Sequence, residues 1–159
     1  MPETPAHLKE PFARFKAGPM LLRVAVTGID PSVLNRRPAG EDWSIRDIII
    51  HLADTELVRA TRIRMMIASE NPPLEPIDED LWKRKLHYLW RDPEGAISLF
   101  QQTRYSTAEL LAQCYAETWL RTGNHPELGI MTVADQMVRG ADHVDEHIEQ
   151  VGRFRAAVS

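Results

Sequence analysis

Apolar residues recurring every three or four positions, each long run opened by a helix-capping signal, restrict most strongly what this chain can fold into. Ser44-Ile45-Arg46-Asp47 and Thr132-Val133-Ala134-Asp135 read as capping boxes with Asp in place of the usual Glu. Thr4-Pro5, Asp30-Pro31 and Asp92-Pro93 each put a capping side chain ahead of a proline, which the first helical position tolerates because its N–H would be unpaired there anyway. Behind Ser44, a stripe through Ile45, Ile48, Ile49, Leu52, Ile63 and Met66 predicts a helix to about Ser69. Behind Asp92, the residues Ile97, Phe100, Leu110 and Leu111 predict a second, ending near Cys114. Behind Thr132, the residues Val133, Met137, Val144, Ile148, Val151 and Phe154 predict a third that runs almost to Ser159. Leu8, Phe12 and Phe15 are also helix-spaced, but Gly18-Pro19 should break or kink a helix passing through them. A fourth long helix is therefore expected from about Pro19, with residues 1–17 as an N-terminal extension and Glu79–Leu89 as a further short helix. No segment alternates with period two for long enough to predict a strand. The expected fold is all-α, a four-helix bundle in one domain spanning residues 1–159.

Composition narrows the function classes. The 159 residues are 43% hydrophobic and 26% charged, which suffices to bury a core. The net charge of -4 lacks the basic surplus that a non-specific nucleic-acid binder sets against phosphate. Cys114 is the single cysteine, so no internal disulfide is expected. The aliphatic run Ile48-Ile49-Ile50 is far too short to cross a bilayer, and Met1 to Pro5 has neither the basic nor the apolar region of a secretory signal. A cytoplasmic protein acting on a small-molecule substrate, with no nucleic-acid or membrane partner, is the expectation.

Chemistry concentrates in the histidines. His143 and His147 form H-x-x-x-H on the last helix, and at roughly 100° per residue they sit about 40° apart on one face, one turn above the other. That spacing lets one helix offer two imidazoles to one ion. His51, about two turns into the Ser44 helix and one turn on from Ile48, is the natural third, because bundle sites are built from facing helices. Three imidazoles would leave a coordination position open, the pattern of a catalytic rather than a structural site. Zn, Ni, Cu and Fe all suit neutral imidazoles.

Other polar residues fall around this set. Glu146, about 60° round the helix from His143, and Asp54, near His51, are candidate proton carriers for catalysis. Asp47 and Thr55 share the helical neighbourhood of His51, although Asp47 and Asp145 read more simply as solvated helix faces. Gln150 lies on the face of His143 and His147 and is a candidate contact to a bound cofactor, as is Arg104. Glu56 and Arg59 project toward the apolar side of their helix, which points to a buried pair involving Arg104, whereas Arg62 and Arg64 read as surface pairing. His125 reads as a loop residue, His87 and Tyr88 as part of an aromatic core or interface stretch, and Cys114 has no activating neighbour.

The order Trp43-Ser44, then His51-Leu52-Ala53-Asp54-Thr55-Glu56, then His143-x-x-x-His147-Ile148-Glu149-Gln150 resembles the DinB-like (DinB/YfiT) superfamily of metal proteins. The likeness continues through Pro73-Leu74, Asp78 to Trp82, Asp92-Pro93-Glu94, Arg104 and Trp119 to Thr132. It implies a four-helix bundle, often a homodimer, with one divalent metal held by His51, His143 and His147. Zinc or nickel is expected first, with iron as a further option. Members of the family are named as metal-dependent hydrolases, and some relatives as thiol transferases or isomerases that use bacillithiol, mycothiol or glutathione. The activated ligand would accordingly be water or a low-molecular-weight thiol. Two other readings stand beside this one: a non-catalytic, stress-related bundle whose ion clips helices together, and a bundle whose histidines are core polar residues without a metal.

Overall fold

In the computed structural model, which describes residues 1–159, four long helices form the bundle: α1 (Lys9–Val26), α2 (Ile45–Ala68), α4 (Pro93–Ala112) and α5 (Val133–Val158). A short helix α3 (Glu79–Lys85) and a hairpin of β1 (Thr122–His125) and β2 (Gly129–Thr132) lie in the connections. Helix α2 packs on α4 and α5, and α1 packs on the same two, so the order around the bundle is α1, α4, α2, α5. None of the helices is long and apolar enough to cross a membrane.

The capping chemistry works largely as the sequence predicts. Ser44 accepts from the Asp47 N–H while Asp47 accepts from the Ser44 N–H, and Thr132 and Asp135 repeat the exchange at the start of α5. Asp92 accepts from the N–H groups of Glu94 and Gly95 ahead of α4. Asp47 is therefore a buried cap and not a solvated residue. Thr4-Pro5 caps nothing; Pro5 opens a single 3-10 turn, Ala6–Leu8, without a side-chain cap.

The first helix differs from expectation. It begins at Lys9 and carries Pro19 inside it, and Leu8, Phe12 and Phe15 are buried, so residues 9–17 belong to the bundle and form no extension. A proline inside a helix leaves the carbonyl four residues earlier without a donor. Here the Arg104 Nη1 of α4 donates to the Phe15 carbonyl at 2.9 Å and supplies what Pro19 cannot. That partner lies 89 residues away, which is why local sequence pointed to a break.

Arg104 does more than this. Its Nε and Nη2 donate to the two carboxylate oxygens of Glu56 on α2, both at 2.7 Å, and Nη2 also donates to the Gly140 carbonyl of α5 at 3.2 Å. Its guanidinium lies 3.8 Å from the Phe15 ring centroid and 5.0 Å from that of Phe100. One buried ion pair thus touches all four long helices, between an apolar cluster containing Phe100, Ile48 and Val151 and another containing Phe15, Ile63 and Met137. The expectation that Arg104 contacts a cofactor gives way to this role, since the side chain is 1% exposed and its donors are directed at Glu56 and backbone carbonyls.

The hairpin is invisible to periodicity because each strand has only four residues, one of them a glycine, Gly123 in β1 and Gly129 in β2. It is antiparallel, pairing Thr122 with Thr132 and His125 with Gly129. Asn124 also exchanges backbone hydrogen bonds with the segment 72–74, donating to the Pro72 carbonyl and accepting from the Leu74 N–H. This ties the proline-rich connection ahead of α3 to the hairpin and brings both to the open side of α2 and α5.

Candidate metal centre

His51 projects from α2 and His143 and His147 from the adjacent helix α5, and their Nε2 atoms converge. The Nε2 of His143 is 3.0 Å from that of His51 and 3.1 Å from that of His147. The three donor atoms all lie within 4.8 Å of one another. Two imidazole ligands of a tetrahedral ion at the usual bond length would be about 3.3 Å apart, so the spacing fits one divalent cation.

Hydrogen bonding alone does not account for this cluster. An imidazole nitrogen carries either one hydrogen or one in-plane lone pair, so the His143 Nε2 can serve both neighbours only through a shared, three-centre bond. Burial, reinforced by His147 and Arg59, lowers the His51 pKa to about 3. Burial, with His147, His51 and the nearby arginines adding to it, lowers that of His143 to about 2. Both rings are neutral at physiological pH, the state a metal ligand needs. The sign of the linkage is fixed: the unfolded rings take up protons below about pH 6.5 while the folded ones do not. The metal-free protein should therefore lose stability as pH falls from 6.5 toward 3, by up to about 1.4 kcal/mol per pH unit for each of the two rings. Urea melts at pH 7 and pH 5 check this, and the difference should shrink in a His51→Leu variant.

Neighbouring groups orient the rings. The His147 Nδ1 donates to the Gln150 Oε1 at 2.8 Å, which leaves Nε2 with its lone pair free to bind. Gln150 thus contacts a histidine where the sequence reading placed a contact to the cofactor. Gln150→Ala is expected to weaken metal affinity about 10- to 100-fold, measured by competition with a chelating dye. The Trp43 ring stands edge-on to His51 with centroids 5.1 Å apart and walls one side of the cluster. Glu79, the first residue of α3, brings a carboxylate oxygen to 3.8 Å from the His51 Nε2. Sequence reasoning missed Glu79, because its approach depends on α3 docking at Trp43. There Asp80 accepts from the Trp43 indole N–H and Lys83 donates to the Asp42 carbonyl.

Comparison with known proteins identifies the family and the fold. The model of the DinB superfamily matches residues 14–151. The chain belongs to the DinB superfamily. Among its relatives is a protein of Oceanobacillus iheyensis, provisionally named a metal-dependent hydrolase, which is 27% identical over 84% of this chain and 77% of its own length. YfiT of Bacillus subtilis, provisionally named in the same way, is 25% identical over 84% of this chain and 75% of its own. The solved structure of YfiT, described as an unusual four-helix bundle, superposes with a TM-score of 0.87 at 22% identity over 97% of this chain and 89% of that one. A mycothiol-dependent maleylpyruvate isomerase superposes with a TM-score of 0.75 at 13% identity, over 94% of this chain and 64% of its own. These likenesses confirm the four-helix bundle.

Beside the histidine cluster of this DinB-superfamily chain, reached through His143, lies an open cavity of about 430 Å³. His143, Glu146 and Arg139 of α5 line it, opposite Thr55, Arg59 and Arg62 of α2. Glu79 and the hairpin residue His125 border it too. His125 is buried, and its Nδ1 accepts from the N–H groups of Glu127 and Leu128, which puts its proton on Nε2. The structure therefore places Glu146 and His125 at the cavity. Asp54 is elsewhere: Arg91 holds it in a two-pronged ion pair at 2.6 and 2.9 Å, beside a separate cavity that includes Leu57 and His87. Asp145, 37% exposed on the face of α5, pairs there with Arg14. Cys114 is buried, its Sγ donates to the Leu110 carbonyl, and burial raises its pKa, so it stays a thiol.

Proposed function

We propose that this protein is a metal-dependent hydrolase of small molecules, with a zinc or nickel ion held by His51, His143 and His147. The observation that carries the reading is the convergence of three imidazole Nε2 atoms, from two facing helices, beside an open cavity. A divalent ion bound there supplies Lewis acidity, lowering the pKa of a water molecule toward neutrality and polarising a carbonyl or phosphoryl oxygen. The remaining work falls to the chain. Gln150 fixes the His147 ring, and Trp43 screens the His51 side. Glu79 stands closest to the cluster as a base, exposed and able to move a proton in from solvent and out again. Glu146, across the cavity, suits proton delivery to a leaving group. Asp54, locked to Arg91, takes no part in this scheme. Three donors beside a cavity support catalysis over an ion that merely clips helices.

Turnover is tested by screening ester, amide and phosphoester substrates with the metal-loaded protein. Glu79→Gln should lower kcat about 10²- to 10⁴-fold with metal content unchanged. Full activity in that variant would remove Glu79 from the mechanism. A second reading, thiol transfer, draws on the fold shared with a mycothiol-dependent isomerase. Cys114 is buried, so the thiol would come from a separate low-molecular-weight molecule. Activity toward an electrophile only when such a thiol is added would favour it.

A further inference from the structure

Arginines gather along one stretch of the cavity beside the histidines. Arg59 and Arg62 of α2 and Arg139 of α5 all line it, and none of the three forms an ion pair with a carboxylate. Arg59, half-buried, donates only to the Gln136 carbonyl, at 3.2 Å, and its stem is pressed against Gly140. Arg62 donates to the Glu75 carbonyl while its Nε is buried without a partner. Gln136, 1% exposed on the cavity wall, has an amide oxygen without a partner and only the Met131 Sδ, 3.4 Å away, for its amide nitrogen. The acids that share the lining, Glu79, Glu127, Glu146 and Asp142, are exposed, as is Arg139, and Asp142 is already taken by Arg14. Elsewhere in the bundle buried charges have partners: Arg104 pairs with Glu56, Asp54 with Arg91, and Asp47 accepts from the Ser44 N–H. Two part-buried guanidiniums without a carboxylate partner, facing the exposed Arg139 across the cavity, favour an anion placed between them.

From these observations we infer that Arg59, Arg62 and Arg139 form an oxyanion subsite, which binds a carboxylate or phosphate group of the substrate and directs the rest of the molecule to the histidines. The placement follows helical arithmetic. His51, Thr55, Arg59 and Arg62 form a continuous stripe on α2, and Gln136, Arg139, His143 and Glu146 form the facing stripe on α5. The guanidinium end lies about 12 Å from the histidine end along α2, measured from Arg59, and about 6 Å along α5, measured from Arg139. The substrate is then a small acid whose reacting group stands several bonds from its charge. This assignment of substrate class rests on the histidine cluster being the reaction centre. The anion subsite itself does not.

Calorimetric titration with inorganic phosphate and with succinate separates the two claims, in the metal-loaded protein, in His51→Ala and in the Arg62→Gln/Arg139→Gln double variant. Arg59 is left intact because its stem packs against α5. Binding should persist in His51→Ala and weaken about tenfold or more in the double variant, given the strength of charge-assisted hydrogen bonds. Stronger binding of phosphate or of succinate tells which group the substrate carries. Binding lost in His51→Ala but unchanged in the double variant would place the anion on the metal and overturn the subsite. No binding of either anion at millimolar concentration would overturn it as well. Melting curves of both variants establish that they are folded. If His51→Ala carries no less metal than wild type but still binds the anions, the subsite stands and the metal reading falls.

Discussion

Glu56→Ala is expected to destabilise the bundle by about 3–5 kcal/mol, because it strands the buried Arg104 charge without its counter-ion. At about 2–4 °C per kcal/mol for a chain of this size, the melting temperature should fall by roughly 6–20 °C. The pair is 1% and 3% exposed, so solvent can do little to replace the lost carboxylate. Glu56→Gln, which keeps an acceptor opposite Arg104, should lose less. Replacing both partners by leucine removes the charge problem, and such exchanges are often neutral or stabilising. Here it should still cost about 1–3 kcal/mol, because the Phe15 carbonyl loses the donor that compensates for Pro19. Adding Pro19→Ala to the double variant returns a backbone N–H to that carbonyl and should recover much of the loss. Chemical denaturation of the four variants measures the series. A Glu56→Ala protein within about 1 kcal/mol of wild type would contradict the account of Arg104 as the joint between the four helices.

The second large effect concerns the histidine cluster. His143 stands between the other two rings, so His143→Leu removes the donor that both neighbours face. Zinc or nickel at a thousand times its dissociation constant should stabilise the wild type by about 4 kcal/mol. That corresponds to a rise of roughly 8–16 °C in melting temperature. The leucine variant should gain almost nothing at the same concentration. Without metal the order should reverse, with the variant at least as stable as wild type, since leucine replaces a half-buried ring whose nitrogen makes at best a shared hydrogen bond. Thermal melts with and without metal read both halves, and equal metal-induced shifts in the two proteins would place the ion elsewhere.

The comparison of sequence with structure separates local from non-local information. The three histidines were legible because each needed only helical spacing and an apolar stripe to set its face. The Glu56–Arg104 pair was half legible: the face of Glu56 was clear, but Arg104's contacts with Phe15 and Gly140 required knowing how α1 and α5 pass it. Asp54 misled because nearness in sequence to His51 is not nearness in space. Three residues on, the helix has turned it toward Arg91, which arrives from the connection after α3. Glu79 was hidden for the opposite reason, since 28 residues separate it from the ring it approaches. The start of α1 was misplaced because the donor that makes Pro19 tolerable lies on α4. The hairpin escaped because strands of four residues containing glycine show no alternation.

The most direct test of the central claim is the metal content of the protein, made without a histidine tag, as wild type and as His51→Ala. The account predicts close to one divalent ion per chain in the wild type, by elemental analysis after dialysis, and a large loss in the variant. A wild type that retains no divalent ion at any concentration offered, or a His51→Ala protein that retains as much as the wild type, would contradict it.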